Sequence, residues 1–255
     1  MLMISEFPLL VFTTLAGLTA GSYTMSAIFP VGQEGKRAWL FPLVCGLLLA
    51  AGLVGLPMHL EHPERMLIAL SNPGAMIAQE AYWSIGFGVI LAADFIVSKV
   101  KGKSPRALRV VGAVAGLGLM CVMANAYFVS NAVAPWAAWQ TFPLFIVGDL
   151  AMGAALCGLM EKPLFEKGSF FGAAVALDAL FAVAAGLEAA YFAGLGLDVV
   201  PFIVALVVAA VGGIAGTVLA RRGKPTATSM ATLAFACVLV GVVIARYAFY
   251  AAGSM

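Results

Sequence analysis

The sequence predicts an all-α integral membrane protein, an eight-transmembrane-helix bundle with both termini extracytoplasmic. Three observations carry this prediction. Of 255 residues, 63% are hydrophobic and 10% charged, with a mean hydropathy of +1.05; a soluble domain carries roughly 25% charged residues and would not cover so apolar a chain with polar surface. The apolar residues fall into eight runs close to the roughly 20 residues that cross a bilayer. The basic residues fall almost entirely in alternate breaks between those runs.

The spans lie at about 8–30, 38–60, 77–98, 107–130, 141–160, 169–193, 198–220 and 229–251, in one membrane domain covering 1–255. The opening MLMISEFPLL has no basic n-region, and no small-residue cleavage site follows, so it leads into a first span rather than a removed signal peptide. GQEGKR, KVKGKSPR, MEKPLFEKG and RRGKP are breaks of Gly, Pro and charge. The longest break, Glu61–Ala78, holds HPERMLIAL, whose pattern after Pro63 predicts a short interfacial helix with Met66, Leu67 and Leu70 toward lipid or protein. SNAVAPWAAWQT, between spans four and five, is uncharged; Pro135, Trp136 and Trp139 place it as a surface loop, because indoles prefer the headgroup level. Gly17/Gly21, Gly112/Gly116 and Gly212/Gly216 are GxxxG pairs that let helix backbones approach, and they read as packing.

Orientation follows from Lys and Arg. Lys36, Arg37, Lys99, Lys101, Lys103, Arg106, Arg109, Lys162, Lys167, Arg221, Arg222 and Lys224 follow the odd-numbered spans; Arg65 stands almost alone on the other side. By the positive-inside rule the basic side is cytoplasmic. The net charge of +2 and the absence of a basic patch argue against nucleic-acid binding. Cys45, Cys121, Cys157 and Cys237 fall singly in apolar runs, without the spacing of a metal or iron–sulfur ligand set.

Ionisable groups inside spans are costly and mark function. His59 ends span two and Glu80 opens span three, so an antiparallel helix pair brings them together at the outer surface. An imidazole with a reference pKa of about 6.5 and a carboxyl of about 4.3 can take protons from a two-proton carrier, and imidazole hydrogen-bonds well to a quinone carbonyl or quinol hydroxyl. The alternative is a pair of interfacial anchors. His62 reads as a solvated loop residue, and Glu61, Glu64 and Arg65 as a solvated or partner-facing cluster. Glu188 and Arg246 sit at matching depth near the outer ends of spans six and eight, which predicts an ion pair or a role in shaping a pocket. Asp149 and Asp178 lie mid-span and read equally as a proton path or as groups capped within the bundle; Asp94 is expected to reach the inner interface. Both histidines lie on one short stretch at one surface, so a bis-histidine haem is not expected. A haem-free quinol oxidiser must pass electrons to a partner that carries redox centres. A proton-coupled small-solute transporter and a structural tether are the alternatives; the one-sided polar cluster and the lack of matching halves count against a transporter.

HLEHPERMLIALSNPGAMIAQE resembles the second-to-third-span region of the DmsC-like, haem-free membrane anchor of DMSO reductase, with His59, Leu60, Pro63, Arg65, Ser71, Asn72 and Glu80 in matching places. EFPLLVFTTLAGLTAG is similar to that family's start through Glu6, Pro8 and Phe12. Tyr127 with APWAAWQTFP is similar to its span four to five loop, and Arg246, Phe249 and Tyr250 to an Arg-x-x-Phe-Tyr ending. Asn125 and Val242 depart from it, standing where a basic and an acidic residue are expected. The resemblance implies a subunit, not catalytic alone, of a three-part oxidoreductase in anaerobic respiration at a bacterial inner membrane. The chain would bind and oxidise menaquinol through His59 and Glu80, with Arg65, Tyr127 and Arg246 around the quinol. A four-cluster ferredoxin-like iron–sulfur subunit would dock on the extracytoplasmic face, and a molybdopterin catalytic subunit would reduce the terminal acceptor.

Overall fold

The computed structural model describes residues 6–58, 68, 70–222 and 227–254. His59, Glu61, His62, Glu64 and Arg65, with most of the expected interfacial helix, lie outside the described residues. Helices follow the apolar runs closely: α1 (Phe7–Ile28), α2 (Leu40–Met58), α3 (Met76–Lys101), α4 (Arg106–Phe128), α5 (Thr141–Met160), α6 (Gly168–Gly194), α7 (Val200–Arg222) and α8 (Ala227–Ala251). Among the described residues there is no strand; Glu34 and Lys103 form an isolated bridge. Punctuation is local chemistry. Pro8 and Pro201 sit in first turns, where a missing N–H costs nothing; Gly102 ends α3 with φ of 67°, a left-handed position that favours glycine. A turn of 3₁₀-helix, Lys162–Glu166, joins α5 to α6.

Seven helices, α2 to α8, are long and apolar enough to cross a membrane. The chain is a multi-pass integral membrane protein. The remaining expected span, α1, is also a helix, 22 residues long, and carries hydroxyls along its length. The reason is its position. α1 lies between α2, α4, α5 and α8, and most of its side chains are buried in protein. Its hydroxyls are tolerated there because they bond back to the preceding turn: Thr13, Thr19, Ser22 and Thr24 donate to the carbonyls of Leu9, Leu15, Leu18 and Ala20 at 2.6–2.9 Å.

The GxxxG pairs make the close approaches expected of them. A Cβ on Gly17 would overlap the Asp149 carboxylate, one on Gly21 the Asp149 carbonyl, and one on Gly153 the Gly21 backbone, so α1 and α5 touch backbone to backbone. A Cβ on Gly116 would lie 3.0 Å from the Ala20 carbonyl oxygen, and one on Gly216 2.7 Å from the Ala234 nitrogen. The connections sort to two ends. At one, Gly35 N–H donates to the Gly102 carbonyl, Ser104 N–H to the Gln33 carbonyl, and Gly32 N–H to Glu161 Oε2. At the other, Trp136 Nε1–H donates to the Phe249 carbonyl and Tyr191 O–H to the Ala134 carbonyl. The basic connections therefore share one end, and the acidic start of α3 lies at the other.

Candidate functional site

The buried face of α3 runs through Ala78, Glu80, Ala81, Ser84, Phe87, Leu91, Asp94 and Ser98. Helical spacing of three and four thus turns Glu80 inward, just past the first turn. Its side chain is buried, and Oε1 has no hydrogen-bond partner among the described residues. Tyr127, near the end of α4, lies within electrostatic range of Glu80, as does Tyr250 near the end of α8. The two phenol oxygens are 2.8 Å apart, and Tyr250 Oη is 3.0 Å from Thr13 Oγ1 of α1. Around Tyr127 stand the rings of Trp136, Phe145, Phe249 and Tyr250, with centroids 5.3–5.5 Å away.

The connection between α4 and α5 lies over this end at the surface, as expected, but buries one of its two indoles. Trp139 is 58% exposed, as an interfacial indole should be, but Trp136 is only 8% exposed. Its Nε1–H reaches the Phe249 carbonyl at 2.7 Å, and its own carbonyl accepts from Thr141 Oγ1 at 2.9 Å. An indole with its single donor satisfied can be buried, and here it covers the tyrosine pair.

One turn inward from Tyr250, Arg246 Nη2 donates to Asp149 Oδ1 at 2.6 Å; both side chains are fully buried, and the guanidinium lies over the Phe145 ring at 4.6 Å. The expected Glu188–Arg246 pair is therefore not made. Matching depth is not enough, because Glu188 shares the α6 face of Asp178, Phe181, Ala185 and Phe192, while Arg246 turns toward α5. Glu188 is buried, and neither oxygen has a hydrogen-bond partner among the described residues. Asp178 faces α7 beside Gly213, where a Cβ would lie 2.9 Å from Asp178 Oδ2. Between the levels of these two carboxylates α7 makes a π-helical stretch, Val207–Gly212.

Asp94 departs from expectation too. It does not reach the interface but is fully buried against Arg109, Nε to Oδ2 2.8 Å. Tyr23 donates to Asp94 Oδ2 at 2.9 Å, and Ser98 and Ser104 to Oδ1 at 3.1 and 2.5 Å. Arg109, counted from sequence as a loop charge, belongs to this interior network and lies over Phe41 at 4.4 Å. Ser98 one turn on, and the chain's return through Ser104 and Pro105, let α3 and α4 close over the pair.

A groove of about 240 Å³ opens on the outward side of α3 and α4, lined by Tyr82, Trp83, Gly86, Phe87, Ile90 and Ala115. It begins within a turn of Glu80. Among the described residues no three His, Cys, Asp or Glu side chains converge to hold a metal.

The family model of the DMSO reductase anchor subunit (DmsC) matches residues 2–212. The chain belongs to the DmsC family. No curated protein matches it significantly. As a DmsC-family protein it is the membrane anchor of a DMSO reductase-type complex and associates with catalytic and iron–sulfur subunits. The match takes in His59, Glu80 and Tyr127 but ends at Gly212, before α8, so it does not cover Arg246 and Tyr250. Sequence reasoning missed Thr13, Tyr250 as a hydrogen-bonding group, and Trp136 as a cover. The available signal was a hydroxyl-bearing residue standing in each of three apolar runs, and it is weak, since such residues are common.

Proposed function

We propose that this DmsC-family chain binds menaquinol at the Glu80 end and oxidises it. The observation that supports this most is a buried carboxyl near the mouth of the bundle with an unpartnered oxygen, in electrostatic range of two hydrogen-bonded tyrosines under an aromatic cover. Asp94, by contrast, has both oxygens hydrogen-bonded. Menaquinol gives up two electrons and two protons. Glu80 takes one proton and His59, which follows the last described residue of α2, takes the other, and both release them to the outer water. Tyr127 hydrogen-bonds a ring oxygen. Arg65, in the sequence between α2 and α3, steadies the headgroup side; Arg246, held by Asp149, keeps Nε and Nη1 unpartnered one turn below. The groove along α3 and α4 suits entry of an isoprenoid quinol from lipid, since its lining is apolar and it begins at Tyr82 and Trp83, within a turn of Glu80 in sequence. Asp178 and Glu188 lie on another face and take no part in this step.

The electrons pass to a four-cluster ferredoxin-like iron–sulfur subunit docked on the extracytoplasmic face, and from there to a molybdopterin subunit; the anchor itself carries no haem. On this reading α1 crosses the bilayer with the other seven helices, so both termini lie outside the cytoplasm of a bacterium. The test is the assembled complex in membranes. Glu80→Gln and His59→Ala are expected to lower menaquinol-dependent reduction at least about 100-fold, the range of a lost acid–base group, while reduction from an artificial donor to the catalytic subunit persists. Full quinol turnover in both variants rejects the assignment.

A further inference from the structure

The contacts of Thr13, Tyr250 and Tyr127 form a chain of three hydroxyls ending on a backbone carbonyl. Thr13 Oγ1 is 2.9 Å from the Leu9 carbonyl oxygen, to which only the threonine can donate. Thr13 Oγ1 and Tyr250 Oη are 3.0 Å apart, and either can be the donor; Tyr250 Oη donates to Tyr127 Oη at 2.8 Å. All three side chains are buried, so no bulk water supplies alternatives.

Counting protons leaves two arrangements. Each hydroxyl has one hydrogen to donate and can accept. In one, Tyr250 donates to Tyr127, as in the structure, Thr13 donates to Tyr250, and the Tyr127 hydrogen points outward, where it needs an acceptor in the site. Only the Leu9 carbonyl loses a bond, and it keeps the helical N–H of Thr13. In the other, the hydroxyls rotate so that Thr13 donates to Leu9, Tyr250 to Thr13 and Tyr127 to Tyr250, and Tyr127 offers its free lone pair outward.

We infer that Thr13 and Tyr250 are positioning residues that let Tyr127 accept from a quinol hydroxyl in one state of the chain and donate to a quinone carbonyl in the other. The inference rests on the quinol reading above. It deepens that reading because substrate and product differ in this respect: a quinol oxygen carries a hydrogen and a quinone oxygen does not. A site with a fixed donor would favour the product and release it slowly. Glu80, with its unpartnered Oε1 in range of both tyrosines, is the titratable group on the facing helix, and Arg246, paired with Asp149, is the charge beneath.

The test measures KM for menaquinol and Ki for added menaquinone in the membrane-bound complex, with the artificial-donor rate reporting assembly. In Thr13→Val, Tyr250 can satisfy its hydrogen only by donating to Tyr127, so the chain is held in its donor-outward state. The ratio of quinol KM to quinone Ki is expected to rise about five- to tenfold, the worth of one hydrogen bond, with an unchanged artificial-donor rate. Thr13→Ser, which keeps the hydroxyl, is expected to retain the wild-type ratio. Tyr250→Phe removes the acceptor for Tyr127 and is expected to raise the ratio similarly; it decides the matter if Thr13→Val does not assemble. A merely structural role would lower assembly and leave the ratio alone. A wild-type ratio in an assembled Thr13→Val or Tyr250→Phe complex, with Glu80→Gln inactive toward quinol, overturns the inference and leaves the quinol reading intact. Full quinol turnover in Glu80→Gln overturns both.

Discussion

The two buried ion pairs are alike in chemistry and unlike in surroundings. Asp94 receives Arg109, Tyr23, Ser98 and Ser104, so both its oxygens are satisfied. Asp149 receives one nitrogen of Arg246 and leaves Oδ2 unpartnered; each arginine leaves two nitrogens unpartnered, Nη1 and Nη2 of Arg109 and Nε and Nη1 of Arg246. Breaking a buried pair strands a charge and costs about 3–5 kcal/mol. Arg109→Ala is accordingly expected to lower the melting temperature of the purified complex and to reduce quinol and artificial-donor rates together as assembly fails. Arg246→Lys keeps the charge but not the planar fork. It is expected to lower quinol-dependent turnover about tenfold while sparing the artificial-donor rate; equal loss of both rates would make this pair structural as well. The sequence shows Glu80 as an ionisable group opening a span; that its side chain is buried is a result of packing. The partner of Arg246 was not legible there. Depth can be read from position along a span, but which face of α8 meets α5 depends on the packing of helices far apart in sequence.

Helix extents were legible because the physics is one-dimensional: a bilayer demands a run of apolar residues, and charge or proline ends it. α6 was expected at 169–193 and runs Gly168–Gly194. The GxxxG pairs were legible for the same reason, since a missing side chain is visible in sequence. Gly17→Leu or Gly21→Val is expected to drive α1 from α5 and abolish recovery of the anchor with its partner subunits in co-purification. Gly46→Ala, where nothing lies within 4 Å, is expected to assemble as wild type. Recovery of an intact complex with Gly21→Val would mean that α1 is not seated on α5 as described. Less legible were α1 itself, whose hydroxyls dilute its apolarity because it is enclosed by protein, and the α4–α5 connection, whose Trp136 is held by the Phe249 carbonyl more than a hundred positions away. The π-helical stretch of α7 has no signature in hydropathy, which registers side chains and not the hydrogen-bond ladder.

At the scale of the whole molecule, polarity is divided between two ends. The basic connections meet at one, where Glu34 bridges Lys103; Glu80, the tyrosine pair and Trp136 meet at the other. With Arg109 withdrawn into the interior, the remaining basic residues of that end still far outnumber those opposite. In a chain with its native cysteines replaced by serine, Trp139→Cys is expected to react with a membrane-impermeant maleimide in intact cells, and Lys103→Cys only after permeabilisation. The reverse labelling pattern would invert the molecule and move the partner subunits to the cytoplasmic side. The central claim is that menaquinol is emptied at the Glu80 end, beneath the subunit that collects its electrons. A structure of the full complex with menaquinol bound tests this most directly. The account expects the ring between Glu80 and Tyr127, with the iron–sulfur subunit seated over that end; a ring lodged near Arg109, or an iron–sulfur subunit resting on the basic connections, would contradict it.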